Sequence, residues 1–260
     1  MNKAMKLISL APTQTEIIAA LGMTESLAGV TEDCNFPEQV KKIRRFGTWY
    51  SPDIKAIREA GPDIVFTFGS HQEEIGTALR DAGIQVYHSE PPTIAASLRS
   101  IREIADLIGR KDECSLLIAS LEERLRQIRE NIQNALPGRR PAVFRVMTWN
   151  PLVTPGPGAF QHDVIEFAGG SNIGSDGPAP YFVCDPERIR AQNPDIIFFC
   201  EPKIRDYLKE DIEWRSVNAV REGRVFVYDC GLTCRSGPRI VDMAEELSRA
   251  VLGWSERQGA

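Results

Sequence analysis

Apolar residues along this chain recur in two rhythms that take turns. Lys6–Leu10, with Leu7, Ile8 and Leu10, reads as a buried strand. Ala11-Pro12-Thr13 then turns into an amphipathic helix carrying Ile17, Ile18 and Leu21, which Gly22 stops. Leu27–Val30 is a second strand. Ser51-Pro52-Asp53 is a helix start, with a capping hydroxyl, proline at the first helical position and an acid near the positive end. That helix closes at Gly61-Pro62, and Ile64–Phe68 is the next strand. A helix over Gln72–Ala82, a strand over Gln85–His88 and a helix over Thr93–Ile108 follow. Alternation of this kind predicts an α/β fold with mostly parallel sheets and helices on both faces.

The segment Lys111–Leu136 breaks the rhythm. It holds no proline or glycine, and Leu117, Leu121, Leu125, Ile128 and Ile132 recur at helical spacing. As one helix it spans ~39 Å at about 1.5 Å per residue, and Pro137-Gly138 ends it. Strand–helix alternation restarts at Ala142–Val146. The pattern predicts an N-terminal α/β lobe over 1–109, a linking backbone helix over 110–137 and a C-terminal α/β lobe over 138–260. An internal echo supports related lobes: Ile57–Phe66 resembles Ile189–Phe198, each copy running from a Pro-acid helix start through a Pro-Asp turn into an apolar strand.

Composition narrows the function classes. The chain has 260 residues, 42% of them hydrophobic and 26% charged, as in an ordinary globular protein. A net charge of -5 argues against a general nucleic-acid binder, which needs a basic face to replace counterions. No apolar run approaches the ~20 residues of a membrane helix, so no membrane-spanning segment is expected. Lys3 and Lys6 imitate the start of a secretory signal, but Leu7–Leu10 is too short for its apolar core. A periplasmic or extracellular location follows if a signal has been removed, a cytoplasmic one if the sequence is complete. No Gly-x-Ser-x-Gly, Gly-x-x-x-x-Gly-Lys-Ser/Thr or His-Glu-x-x-His signature is present, so no enzyme and no required cofactor are expected.

The loops that follow the strands carry aromatics instead. They include Gly47-Thr48-Trp49-Tyr50, Phe68-Gly69-Ser70-His71, Thr148-Trp149-Asn150-Pro151 and Pro180-Tyr181-Phe182. Ligands of open α/β sheets bind beyond the carboxyl ends of the strands, and aromatic faces there suit a large, partly apolar ligand. The expected ligand-binding set is Trp49, Tyr50, Phe68 and His71 from the first lobe, with Trp149, Tyr181, Phe182 and Arg235 from the second.

With Leu10–Glu16, Gly29-Val30, Cys34-Asn35-Phe36-Pro37, Gly47-Thr48-Trp49, Phe167–Ile173 and Gly237–Ile240 in this order, the chain resembles the helical-backbone solute-binding proteins of ABC importers, and most of all their cobalamin-binding branch. The resemblance implies two lobes joined by one long helix and capture of a cobalamin or other corrinoid in the cleft for uptake or handling. An iron-siderophore or haem is the alternative ligand. It also implies Trp49 against the corrin, Phe68 and Tyr181 as further cleft aromatics, and an ABC permease as partner. Glu73 or Glu74 matches the first permease-docking acid; the second falls near Cys234, which is not acidic. Asp33 stands where relatives carry a tyrosine.

Six cysteines are too few for a disulfide scaffold. Cys114 and Cys200 read as structural. Cys34, Cys184, Cys230 and Cys234 fall in loops, where converging thiolates suit zinc or an iron–sulfur cluster; unconnected thiols or a Cys230–Cys234 disulfide are the other readings.

Overall fold

The computed structural model describes residues 5–136 and 138–258; Lys3 and Pro137 lie outside the described residues. By contacts the chain divides into two compact units. The first holds the chain up to Pro91, Ala95–Ser120 and Arg235–Pro238; the second holds Pro92–Ile94, Leu121–Cys234 and the chain from Arg239 onward.

The elements in chain order are β1 (Leu7–Ser9), α1 (Pro12–Ala20), β2 (Leu27–Val30), α2 (Ile54–Ala60), β3 (Ile64–Phe68), α3 (Glu73–Asp81), β4 (Gln85–Ser89), α4 (Ile94–Ile108) and α5 (Lys111–Ala135). There follow β5 (Ala142–Arg145), β6 (Val153–Pro155), α6 (Phe160–Phe167), β7 (Ser171–Asn172), β8 (Tyr181–Val183), α7 (Pro186–Gln192) and β9 (Ile196–Phe199). The last are α8 (Ile204–Glu210), α9 (Asn218–Arg221), β10 (Val225–Val227), α10 (Cys230–Thr233) and α11 (Ile240–Gln258). The fold is α/β with mostly parallel sheets and one long helix, and the division between units falls inside that helix, α5, at Ser120/Leu121.

Unit 1 carries a parallel sheet of order β2-β1-β3-β4, with Leu7 opposite both Leu27 and Ile64. One of its faces packs Ile8, Leu10, Phe46, Ile57, Val65 and Leu79 together. Gly29 of β2 lies under the Phe46 ring, where an added Cβ would come within 2.1 Å of a ring carbon. Unit 2 carries a parallel sheet of order β10-β9-β5-β7, plus an antiparallel pair β6-β8. Read from β7, its order is the unit 1 order repeated. Phe144, Ile197, Phe199, Leu208 and Trp214 form part of its core.

The echo in the sequence returns as a shared helix–turn–strand plan with local differences. Asp53 caps α2 by accepting from Ala56 N at 2.9 Å, and Asp185 caps α7 by accepting from Glu187 N at 2.9 Å. Both helices end in a left-handed residue, Gly61 (φ 57°) and Asn193 (φ 49°). The acid of each Pro-Asp turn then accepts the backbone N–H at the start of the neighbouring strand: Lys6 N to Asp63 at 2.7 Å, Ala142 N to Asp195 at 3.0 Å. One expectation is corrected. The cap of α2 is Asp53 and not Ser51, because Pro52 is engaged in an isolated bridge with Gly47 and the helix starts two residues later.

Candidate functional site

Trp49, Tyr50 and His71 meet on unit 1. The His71 ring stands edge-on to Trp49 with centroids 4.1 Å apart, and Tyr50 lies 5.0 Å from Trp49 and 5.1 Å from His71. Tyr50 is 73% exposed, so this is a displayed aromatic group and not a core cluster. Its position is fixed from below by Gln72, which sits just past the carboxyl end of β3. Gln72 donates to Leu10 O at 3.0 Å and to Trp49 O at 2.7 Å, and accepts from Phe68 N at 2.9 Å. Fully buried, it ties the ends of β1 and β3 to the aromatic loop. Asp33 clamps the same loop by accepting from Trp49 N at 2.6 Å. Phe68 is half-buried at the end of β3. Partial desolvation beside the two rings pulls the His71 pKa below its ordinary value, against the opposing charge of Glu90.

Arg235, expected from the second lobe, packs in unit 1. Buried Glu16 draws it there: the pair is 2.5 Å apart, and the guanidinium also donates to Asn35 Oδ1 at 2.8 Å and to Asp33 O at 3.3 Å. Its charge is spent on ordering the Asp33–Asn35 loop. Glu73 and Glu74 are exposed in the first turn of α3.

In unit 2 the aromatics divide. Trp149 stacks on Tyr207 at 5.6 Å and leans on Trp214 at 5.6 Å, so it covers the unit's core. Phe182 also packs on that core, with its ring where a Cβ on Gly177 would be. Both are half-buried and pack one face against that core. Tyr181 is 41% exposed, and its hydroxyl donates to Gln161 Oε1 at 2.9 Å.

The cysteines sort differently from the sequence reading. Cys34 is fully buried in unit 1, where the Thr15 hydroxyl donates to its sulfur at 3.1 Å and Thr31 lies at 3.2 Å. Burial pushes its thiol pKa up. Cys184 lies in the core of unit 2, donates to Leu152 O at 3.4 Å, and is pushed up by burial to about 11. Neither thiol points outward, so neither joins a shared metal site. Cys200, read from the sequence as structural, instead comes together with Cys230 and Cys234. Placed at the carboxyl end of β9, it has its sulfur 3.9 Å from that of Cys234, which is 3.6 Å from that of Cys230. Hydrogen bonds from the Cys230 and Cys234 thiols, aided by the Arg145 charge, hold the Cys200 thiol below the ordinary cysteine range. The signal available in the sequence was Arg145 itself, a charge at the end of an apolar strand.

The sequence pattern of the periplasmic binding protein family matches residues 7–230. The chain belongs to that family. Its members are binding proteins rather than enzymes. Among relatives, an ABC transporter substrate-binding lipoprotein of Bacillus subtilis, itself uncharacterized, is 28% identical over 95% of this chain and 79% of its own length. A vitamin B12-binding protein of Vibrio cholerae is 25% identical over 94% of this chain and 88% of its own. The fold is shared with the solved periplasmic vitamin B12 binding protein BtuF of Vibrio cholerae (TM-score 0.84, 23% identity, 97% and 98% of the two chains). It is shared as closely with the periplasmic heme-binding protein RhuT from Roseiflexus sp. RS-1 (TM-score 0.85, 23% identity, 97% and 100%). No helix among the described residues is long and apolar enough to cross a membrane.

Proposed function

We propose that this binding protein captures a cobalamin or a closely related corrinoid and hands it to an ABC permease. The observation that carries the reading is the displayed group of Trp49, Tyr50 and His71 at the carboxyl edge of the unit 1 sheet. A corrin presents broad apolar faces rimmed by amides, which calls for aromatic walls and little net charge. The neutralisation of Arg235 by Glu16 fits the same requirement and weighs against an anionic ferric siderophore, which calls for free cations. Relatives named for vitamin B12 binding at 23–26% identity support the corrinoid. Transport by an ABC system and delivery outside the cytoplasm agree with the lipoprotein relative, and exposed Glu73 and Glu74 are the proposed permease-docking acids.

Haem is the second reading. Tyr50 and His71 are both residue types that ligate haem iron, and they stand side by side with His71 exposed. Calorimetric titration of cobalamin, haem and a ferric siderophore into wild type, Trp49→Ala and Tyr50→Ala separates the cases. Removing a well-packed aromatic from a binding centre costs ~2 kcal/mol, about thirty-fold in affinity. Cobalamin binding weakened by that factor supports the proposal. Cobalamin binding untouched by both variants places the site elsewhere. Haem binding without cobalamin binding transfers the assignment to the second reading.

A further inference from the structure

The sulfurs of Cys200, Cys230 and Cys234 lie within 4.8 Å of one another, on the same carboxyl edge of the unit 2 sheet to which ligands of α/β folds bind. Cys200 follows β9 directly. Cys230 and Cys234 bracket the single turn of α10, whose i, i+4 spacing puts both on one face. A tetrahedral ion bound at ~2.3 Å holds its sulfurs just under ~4 Å apart, and two of the three separations here are 3.6 and 3.9 Å. These thiols are already spaced for one ion.

The second observation is Arg145. Its side chain is fully buried, yet it forms no ion pair among the described residues. It donates to Val146 O, to the Thr233 hydroxyl, and to the sulfurs of Cys200 and Cys234 at 3.7 and 3.6 Å, and its Nε has no partner. A buried guanidinium needs an anion, and the groups presented to it are thiols. Three thiolates and one divalent ion carry a net charge of −1, which the guanidinium cancels.

We infer that Cys200, Cys230 and Cys234 form a three-thiolate site for a single thiophilic divalent ion of the Zn2+ type, with Arg145 as its buried counter-charge. Binding forms three metal–sulfur bonds and releases to buffer the protons still held by the three thiols. The fourth position is left to water or an exogenous ligand, since Cys230 is exposed. The site uses none of the aromatic residues of the proposed chelate site, so either assignment can fail without the other.

The test is titration of the reduced full chain with Co2+ under anaerobic conditions, followed by competition with Zn2+. The expected result is one Co2+ per chain, with thiolate-to-metal charge-transfer absorption and strong tetrahedral ligand-field bands that Zn2+ removes. Affinity should fall as pH falls. Cys230→Ser, at an exposed position that does not threaten folding, should weaken binding by more than the roughly 100-fold that loss of an outer-shell partner costs. Weak octahedral Co2+ spectra alone, or a Cys230→Ser protein with the wild-type spectrum and affinity, would overturn the inference.

Discussion

Arg235 and His71 show how neighbours decide what a side chain is available to do. The motif around Arg235 is plain in the sequence, but the carboxylate that claims it stands 219 positions away, and no local pattern connects the two. Glu16 is almost wholly buried, so Glu16→Gln would leave the Arg235 charge in the interior without its carboxylate. The expected loss is about 3 kcal/mol, typical of a broken buried pair, read as a lowered urea midpoint with little change in slope. For His71 the sign follows from its neighbours. Desolvation by the flanking rings disfavours the charged form, Glu90 favours it, and desolvation wins. The folded state therefore holds fewer protons on this ring than the unfolded chain. Its contribution to stability is complete above the ordinary histidine value of about 6.5 and is lost as pH falls through the lower folded pKa. NMR titration should place the His71 midpoint below that of a free histidine, and Glu90→Gln should move it lower still. A midpoint at or above the free value would mean that the ring is more hydrated than its contacts imply. Trp49, Tyr50, His71, Trp149 and Phe182 could all be nominated from the sequence because aromatics after strands are a local signal; that Trp149 and Phe182 also pack against Tyr207, Trp214 and Gly177 was not legible there.

The Pro-Asp turn is the element through which the two sheets are built alike. In each unit it ends one helix, starts a central strand, and uses the Asp carboxylate to hold the first N–H of the strand beside it. The helix–turn–strand periodicity was legible because it is written in consecutive residues. The carboxylate-to-strand bond was not, since its partner lies 57 positions away in one unit and 53 in the other. The two copies differ in burial: Asp195 is 4% exposed, whereas the Asp63 bond is open to solvent. Removing a buried carboxylate acceptor strands the Ala142 N–H, and hydrogen bonds to charged groups are worth about 1.5–3 kcal/mol. Asp195→Ala should therefore cost about 2 kcal/mol and Asp63→Ala about half that, since water can replace the acceptor only at Asp63. Equal losses in chemical denaturation would show that burial does not set the value of this bond. The cysteines teach the same lesson at this scale. Cys34 and Cys184 sit in loops by sequence, but each loop folds its thiol inward, while Cys200, read as the end of a buried strand, emerges at the sheet's open edge.

At the scale of the whole molecule, the parallel sheets, the repeated strand order and the long breaker-free helix α5 place the chain in its family, and all three are properties of periodicity. Ligand identity is not. A vitamin B12 binding protein and a heme-binding protein share this fold with TM-scores of 0.84 and 0.85 at the same 23% identity, so backbone shape does not separate a corrin from a porphyrin. The choice is left to a handful of side chains whose neighbours come from distant segments, which is why the family was readable and the cargo was not. A measurement on the intact chain discriminates without presuming which side chains matter. A ligand that binds only the folded state stabilises it by RT ln(1 + [L]/Kd), about 2.7 kcal/mol at a hundred times Kd. For a chain of this size that is a rise in Tm of roughly 5 °C or more. Thermal unfolding with increasing cobalamin should show a Tm that climbs with the logarithm of ligand concentration, and haem or a ferric siderophore should shift it less. The Trp49→Ala protein should need about thirty-fold more cobalamin to reach the same Tm, while its unliganded Tm reports separately on folding. If haem produces the larger and saturable shift, Tyr50 and His71 become candidate iron ligands and the corrinoid assignment falls. If no chelate moves Tm at any concentration, the aromatic group of unit 1 does not serve a metal chelate at all.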